Sequence, residues 1–201
     1  MTKKLICTFL PFRYFPPAKN ETIKDTLHAT DKYFCEQAYK HEFIGAENMI
    51  RLAEEKDYLQ LATMKWQHSQ EDDEDYGEGN LEGVVKQEFI NSFVDFMKIQ
   101  KSYTVFVVEE NEVVISSMFV SIIPKVPKPN GKSKSIAYLT NVYTLKEYRN
   151  SGIGTKLLQY IKNYLKECAC ELVIVWPSAN SAEWYKKNGF CSENEVFECP
   201  L

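Results

Sequence analysis

The sequence of 201 residues has no apolar run near the roughly 20 residues that a membrane-crossing helix requires; its longest strictly apolar stretches, such as residues 172–176, are far shorter. No spanning segment and no membrane partner are therefore expected. A clustered basic face is also missing. With 24 Lys and Arg against 28 Asp and Glu, the net charge is −4, which sets nucleic acid aside as a partner, because its binding depends on neutralising phosphates. Cysteine is sparse: Cys7, Cys35, Cys168, Cys170, Cys191 and Cys199 are too few for a disulfide scaffold and lack the C-x-x-C spacing of a zinc site. No metal is expected. Cys168 and Cys170 fall two apart late in a predicted helix, where they point to different faces. Near the N-terminus Lys3 and Lys4 precede an apolar run, but Pro11 and Arg13 interrupt it and no small-residue cleavage site follows. That pattern reads as a cytoplasmic chain with free thiols.

What is present suits one sizeable core, with 44% hydrophobic and 26% charged residues. Residues 1–48 read as an irregular N-terminal extension, broken by "PFRYFPPAKN" and followed by an amphipathic stretch over residues 31–43. The domain is expected over residues 49–201. It opens with a short strand and a helix whose Tyr58, Leu59, Ala62 and Trp66 fall at helical spacing, with Asp57 placed favourably in the first turn. Residues 70–83, "QEDDEDYGEGNLEG", carry seven carboxylates and three glycines and read as a loop. A second helix follows, striped by Val84, Val85, Phe89, Phe93, Phe96 and Met97. Two β-rich runs around Glu109 to Glu112 signal a hairpin, and residues 135–144 a further strand. The helix after it buries Leu157, Leu158, Ile161 and Leu165. "LVIVW" reads as a buried strand with a parallel neighbour. A last helix over residues 181–188 is capped by Gly189 with Phe190 packing back, and residual β structure is expected at residues 196–199. The order describes an α/β or α+β domain with a mixed sheet.

One stretch asks for an explanation. "YRNSGIGTKLL" places Gly152 and Gly154 at the opening of a helix, where each costs about 1 kcal/mol relative to Ala. The pattern follows a strand and opens an amphipathic helix, so unpaired N–H groups and the positive end of the helix dipole converge on a backbone that an anion can approach closely. A phosphate site answers this better than a frayed turn. It is neither a Walker loop, since Thr155 and Lys156 stand where Gly-Lys-Ser/Thr would be needed, nor the G-x-G-x-x-G dinucleotide fingerprint.

"YLTNVYTLKEYRNSGIGTKLL" followed by "LVIVWPSANSAEWYKKNGF" resembles the GCN5-related N-acetyltransferase (GNAT) family, in which Arg/Gln-x-x-Gly-x-Gly/Ala opens the helix after the fourth strand. The resemblance covers about residues 49–200. It implies a mixed, mostly antiparallel central sheet flanked by helices, and acetyl-CoA as cosubstrate without a metal. The backbone of Arg149, Asn150, Ser151, Gly152, Ile153, Gly154 and Thr155 would then hold the pyrophosphate. Val142, Tyr143 and Thr144 match the strand end that pairs with the pantetheine arm, and the Val142 N–H would polarise the thioester carbonyl. Tyr185 matches the tyrosine that donates a proton to the departing thiolate. Ser178 stands where many relatives carry Asn.

By the same resemblance the segment between the first two helices walls the acceptor site. Here that is the acidic loop, and Asp72, Asp73, Glu74 and Asp75 are expected to attract a cationic acceptor, a solvated charge run being the other reading. Residues 135–144 contain no acid, so the base is unassigned; His68 is a distant candidate. The expected function is acetyl transfer to a primary amine of a small molecule, aminosugar, lysine or N-terminus, directly in a ternary complex. The alternative is a non-catalytic acyl-CoA sensor or interaction module of the same fold. A homodimer is compatible with either.

Overall fold

The computed structural model describes residues 42–43, 48–76, 86–126, 129, 134–192 and 199. Six strands form one sheet in sequential order: β1 (Glu42–Phe43), β2 (Asn48–Leu52), β3 (Thr104–Glu110), β4 (Val113–Pro124), β5 (Ser135–Thr144) and β6 (Cys170–Ile174). Neighbours are antiparallel except β5 and β6, which are parallel. Helices α1 (Tyr58–Tyr76) and α2 (Lys86–Ile99) lie between β2 and β3, α3 (Ile153–Glu167) is the crossover between β5 and β6, and α4 (Ala182–Lys187) follows. The mixed sheet flanked by helices is the architecture expected.

The apolar run of β3 serves two cores at once. Because successive side chains of a strand point to opposite faces, Phe106 and Val108 pack with Leu157, Leu158, Ile161 and Leu165 of α3. Val105 and Val107 pack with Leu61 and Met64 of α1 and Met97 of α2. The β3–β4 turn is tight, with Asn111 at φ 49° and Glu112 at φ 64°, both positive as the favoured two-residue hairpin turn requires. At the other end Gly189, at φ 83°, ends α4, and Phe190 returns against the Tyr185 ring at 5.2 Å between centroids.

Some expectations are corrected. The acidic segment is helical through Tyr76, so Asp72, Asp73, Glu74 and Asp75 belong to α1 rather than to a loop; residues 77–83 lie outside the described residues. The register makes β6 an edge strand among the described residues, and Leu172 is 48% exposed, so the run is only partly covered. Cys168 caps α3 and Cys170 begins β6, separated by Ala169 at φ 55°, so they do not share a helix. Phe96 is exposed rather than part of the α2 stripe. Glu42 and Phe43 of the extension pair with β2; residues 1–41, Val84, Val85 and residues 196–198 lie outside the described residues. No helix among the described residues is long and apolar enough to cross a membrane.

Asp57 does more than favour the helix start. It is buried in the 3-10 turn Glu55–Asp57 ahead of α1 and accepts two hydrogen bonds from the buried Arg51, at 2.6 and 2.8 Å. The Arg51 Nε also donates to Glu109 at 2.8 Å. Burial opposes ionisation of Asp57, but the Arg51 hydrogen bonds and the amide of Glu54 hold its carboxyl below the usual range. The pair joins β2, β3 and the entry to α1 in one charge cluster. Asp57→Asn should therefore lower unfolding stability by about 3 kcal/mol at pH 7, since it leaves a buried guanidinium undercompensated. A depressed pKa contributes stability above about pH 4 that is lost as pH falls through the folded value, so the difference should shrink in acid. Urea unfolding at several pH values measures this, and a loss below about 1 kcal/mol would mean that Glu109 alone balances Arg51.

Candidate functional site

The site begins with a defect in the sheet. Thr140 faces Phe119 and Tyr143 faces Ser117, so Asn141 and Val142 together oppose Met118 alone. This is a bulge, and Asn141 takes φ 46° to form it. On the other side β5 pairs with β6 only from Ser135–Cys170 to Tyr138–Ile174. Beyond that point the second half of β5, residues 139–144, has no strand beside it among the described residues. A cleft of about 550 Å³ occupies the gap, lined by Val142, Tyr143 and Thr144 on one side and by Ser178, Asn180, Ser181 and Trp184 on the other.

At the mouth of the cleft the chain turns through Lys146–Tyr148 and enters α3 with Gly152 at φ 83° as its N-cap. The first helical bond runs from the Lys156 N–H to Gly152 O at 3.0 Å. The amides of Ile153, Gly154 and Thr155 therefore lie outside the helical ladder, and all three residues line the cleft. The two glycines are there for different reasons. A Cβ at Gly152 would meet nothing within 4 Å, so its requirement is the left-handed backbone. At Gly154 a Cβ would sit 3.5 Å from Thr144 Oγ1 and 3.6 Å from Trp184, filling the floor between the two walls.

Arg149 closes the loop back on the sheet. Its Nε donates to Thr144 O at 2.9 Å and its Nη2 to Glu71 at 2.7 Å, while the guanidinium lies 5.2 Å from the centre of the Tyr143 ring. The Tyr143 hydroxyl donates to the other oxygen of Glu71 at 2.7 Å. Burial opposes ionisation of Glu71, yet the Tyr143 and Arg149 hydrogen bonds and the charges of Arg149 and Lys146 hold its carboxyl below the usual range. Burial and the bond to Glu71 push the Tyr143 phenol well above its ordinary value. His68 lies beside the same ring, 5.1 Å away between centroids.

Of the residues expected from sequence, the cleft gathers Val142, Tyr143, Thr144, Arg149, Asn150, Gly152, Ile153, Gly154, Thr155 and Ser178. Ser151 is exposed, and its hydroxyl donates to Tyr148 O instead. Tyr185 is 5% exposed, in the core beside Trp184 and Phe190, and is not among the residues lining the cleft. Its neighbour Trp184 is, with Nε1 donating to Thr155 Oγ1 at 3.2 Å. Met118, Tyr148, Asn180, Ser181 and Trp184 also line the cleft and were not assigned from sequence, and Glu71, read from sequence as part of the acidic acceptor wall, lines it too. Only "SANSAEW", beside the expected tyrosine, carried a local signal for some of them. The side chains of Asp72, Asp73, Glu74 and Asp75 lie outside the described residues.

The model of the GNAT acetyltransferase domain family matches residues 101–192, which span the bulge, the loop and α4. Residues 101–192 are a GNAT acetyltransferase domain. Comparison with curated proteins gives no match. Among solved structures, a predicted acetyltransferase with acetyl-CoA from Clostridium acetobutylicum is 24% identical with a TM-score of 0.59, over 77% of this chain and 96% of its own. Glucosamine-6-phosphate N-acetyltransferase from Arabidopsis thaliana is 16% identical with a TM-score of 0.52, over 77% and 98%. An acetyltransferase from Trypanosoma brucei is 19% identical with a TM-score of 0.52, over 77% and 100%. At these identities the likeness establishes the GNAT fold. The family match identifies the domain as an acetyltransferase.

The GNAT loop makes a sharp demand on Gly152. In Gly152→Val a β-branched side chain must adopt a positive φ, at a cost of about 1–3 kcal/mol, and relief of that strain moves the loop backbone that aims the free amides. The variant should stay folded and lose acetyl-CoA binding in calorimetry. Unchanged affinity would show that the loop is not the anion site.

Proposed function

We propose that the chain is an acetyl-CoA-dependent N-acetyltransferase that moves the acetyl group directly to a primary amine in a ternary complex. The observation that carries this is the open edge of the second half of β5, on the side where β6 has ended, leading straight to the free helix amides behind Gly152. These residues fit the cosubstrate: an edge of backbone suits an amide-bearing arm, and three amides with the Arg149 guanidinium suit a diphosphate. Acetyl-CoA supplies the activated acetyl thioester. The chain orients it, with the Val142 N–H directed at the carbonyl oxygen as an oxyanion donor.

Proton handling follows from the titratable groups. Burial pushes the Tyr185 phenol up to about 12, so Oη holds its proton at neutral pH, as a general acid must. Glu71 is held ionised and is a poor base. Among the side chains lining the cleft, His68 carries an imidazole, the side chain that most often serves as a general base and so suits removal of a proton from an amine. Room for an acceptor lies next door: a second cavity of about 590 Å³, lined by Gln67, Gln70, Lys146 and Glu147 among others, meets the cleft along Glu71, Tyr143 and Tyr148. That adjacency supports direct transfer between two bound substrates.

One observation favours the alternative, a non-catalytic acyl-CoA sensor: Tyr185 is buried off the cleft lining. Tyr185→Phe separates the two readings, because it retains the ring and its packing. Turnover with acetyl-CoA and a panel of amines should fall by about 10² to 10⁴ in the variant. Equal turnover would return Tyr185 to a packing role, and a wild-type protein that binds acetyl-CoA but acetylates none of the amines would favour the sensor.

The acceptor is expected to be cationic, as a small amine, an aminosugar or a lysine or N-terminal amine, drawn by the carboxylates that continue α1 past Glu71. Neutralising Asp72, Asp73, Glu74 and Asp75 to Asn or Gln should raise the amine KM and flatten its salt dependence, since exposed charge is screened over about 10 Å at 0.1 M salt. Acetyl-CoA affinity should hold. Amine kinetics that ignore the change would reduce the run to a solvated surface.

A further inference from the structure

We infer that Glu71 is a positioning residue of the acetyl-CoA site: it fixes the Arg149 guanidinium so that one edge is held by the protein and the other faces the diphosphate. The inference rests on the acetyl-CoA reading above and adds a residue from α1 to a site otherwise built by β5, α3 and α4.

A guanidinium offers five N–H donors in a rigid fork, and it recognises phosphate bidentately through one edge at a time. In Arg149 the edge made by Nε and Nη2 is occupied, by Thr144 O at 2.9 Å and Glu71 at 2.7 Å. The face of the group rests over Tyr143, whose hydroxyl is bound to the same carboxylate. Three contacts thus fix a long side chain that is otherwise free to rotate, and they leave Nη1 with the outer Nη2 hydrogen as the edge for a ligand. Glu71 itself is bound by Tyr143 and Arg149, with Lys146 at 3.7 Å, and it is only 19% exposed. Ordering a flexible side chain on binding costs affinity, so ordering it beforehand strengthens binding without touching the ligand.

The test is Glu71→Gln, alone and in an Arg149→Ala background. The isosteric amide retains an acceptor for Tyr143 but puts N–H groups or a weaker neutral acceptor against Arg149. Glu71→Gln should raise the KM for acetyl-CoA about tenfold, in the range seen when a group supporting a ligand-binding side chain is removed, with kcat changed by less than about twofold. In the Arg149→Ala background the same substitution should change nothing further, because the effect acts through Arg149. A readout without ligand is the side-chain Nε–H signal of Arg149 by NMR, which should show hindered rotation in the wild type and lose it in Glu71→Gln. Unchanged or lower KM in Glu71→Gln would overturn the inference, the latter showing that the carboxylate masks the arginine. An effect that persists without Arg149 would overturn it too. If instead the wild type binds no acetyl-CoA, the functional reading itself falls.

Discussion

The site exists because two parallel strands separate. Backbone N–H and C=O groups are obligatory hydrogen-bonding groups, and a strand inside a sheet normally spends them on both neighbours. Here β5 satisfies β4 along its length but β6 over only four residues, Ser135 to Tyr138. The bulge opposite Met118 turns the rest of β5 away. It would be costly to leave such an edge open without a purpose, as it invites pairing with other chains. The edge is instead enclosed on its far side by Ser178 to Trp184 and at its end by the α3 N-terminus, which converts it from a liability into a binding groove.

A second organising feature is the way α1 is tied down. An arginine–carboxylate pair stands near each of its ends: Arg51 with Asp57 just before its first residue, Arg149 with Glu71 in its penultimate described turn. The first pair is buried at both partners and ties the helix to β2 and β3. The second is partly exposed and ties it to the loop that precedes α3. The two differ in what they do. A pair buried on both sides mainly fixes a fold, since its partners have nothing else to bind. A pair at the rim of a cleft has one guanidinium edge still available, and so joins the fold to a ligand site.

Much of this was legible in the sequence, and the limits have physical causes. Periodicity revealed α3, because Leu157, Leu158, Ile161 and Leu165 meet one core. Turn chemistry revealed the β3–β4 hairpin. The end of α1 was hidden, because a run of Asp and Glu at the C-terminus of a helix opposes the helix dipole and reads as a loop. What holds that end is non-local: Glu71 meets Tyr143 and Arg149, 72 and 78 residues further on. The coverage of β6 was hidden likewise, since an apolar run such as "LVIVW" states a preference for burial but not whether a neighbour is there to supply it. The loop residues of the cleft were legible from the resemblance, whereas Glu71 and Met118 reach the cleft from elements whose packing against it no local pattern displays.

The glycines show how one motif can combine two constraints. Gly152 has open space around the position of a Cβ, so volume does not select it; a φ of 83° does. Gly154 has an ordinary helical backbone, and its Cβ would touch Thr144 and Trp184 at normal contact distance. Volume is the issue there: a methyl group would make ordinary contact with the Thr144 and Trp184 side chains, and a larger side chain would have to displace them. The spacing Gly-x-Gly therefore reflects a left-handed cap followed two residues later by a position that contacts Thr144 on one wall and Trp184 on the other. Both constraints act on the same three amides, the first by aiming them and the second by leaving them room.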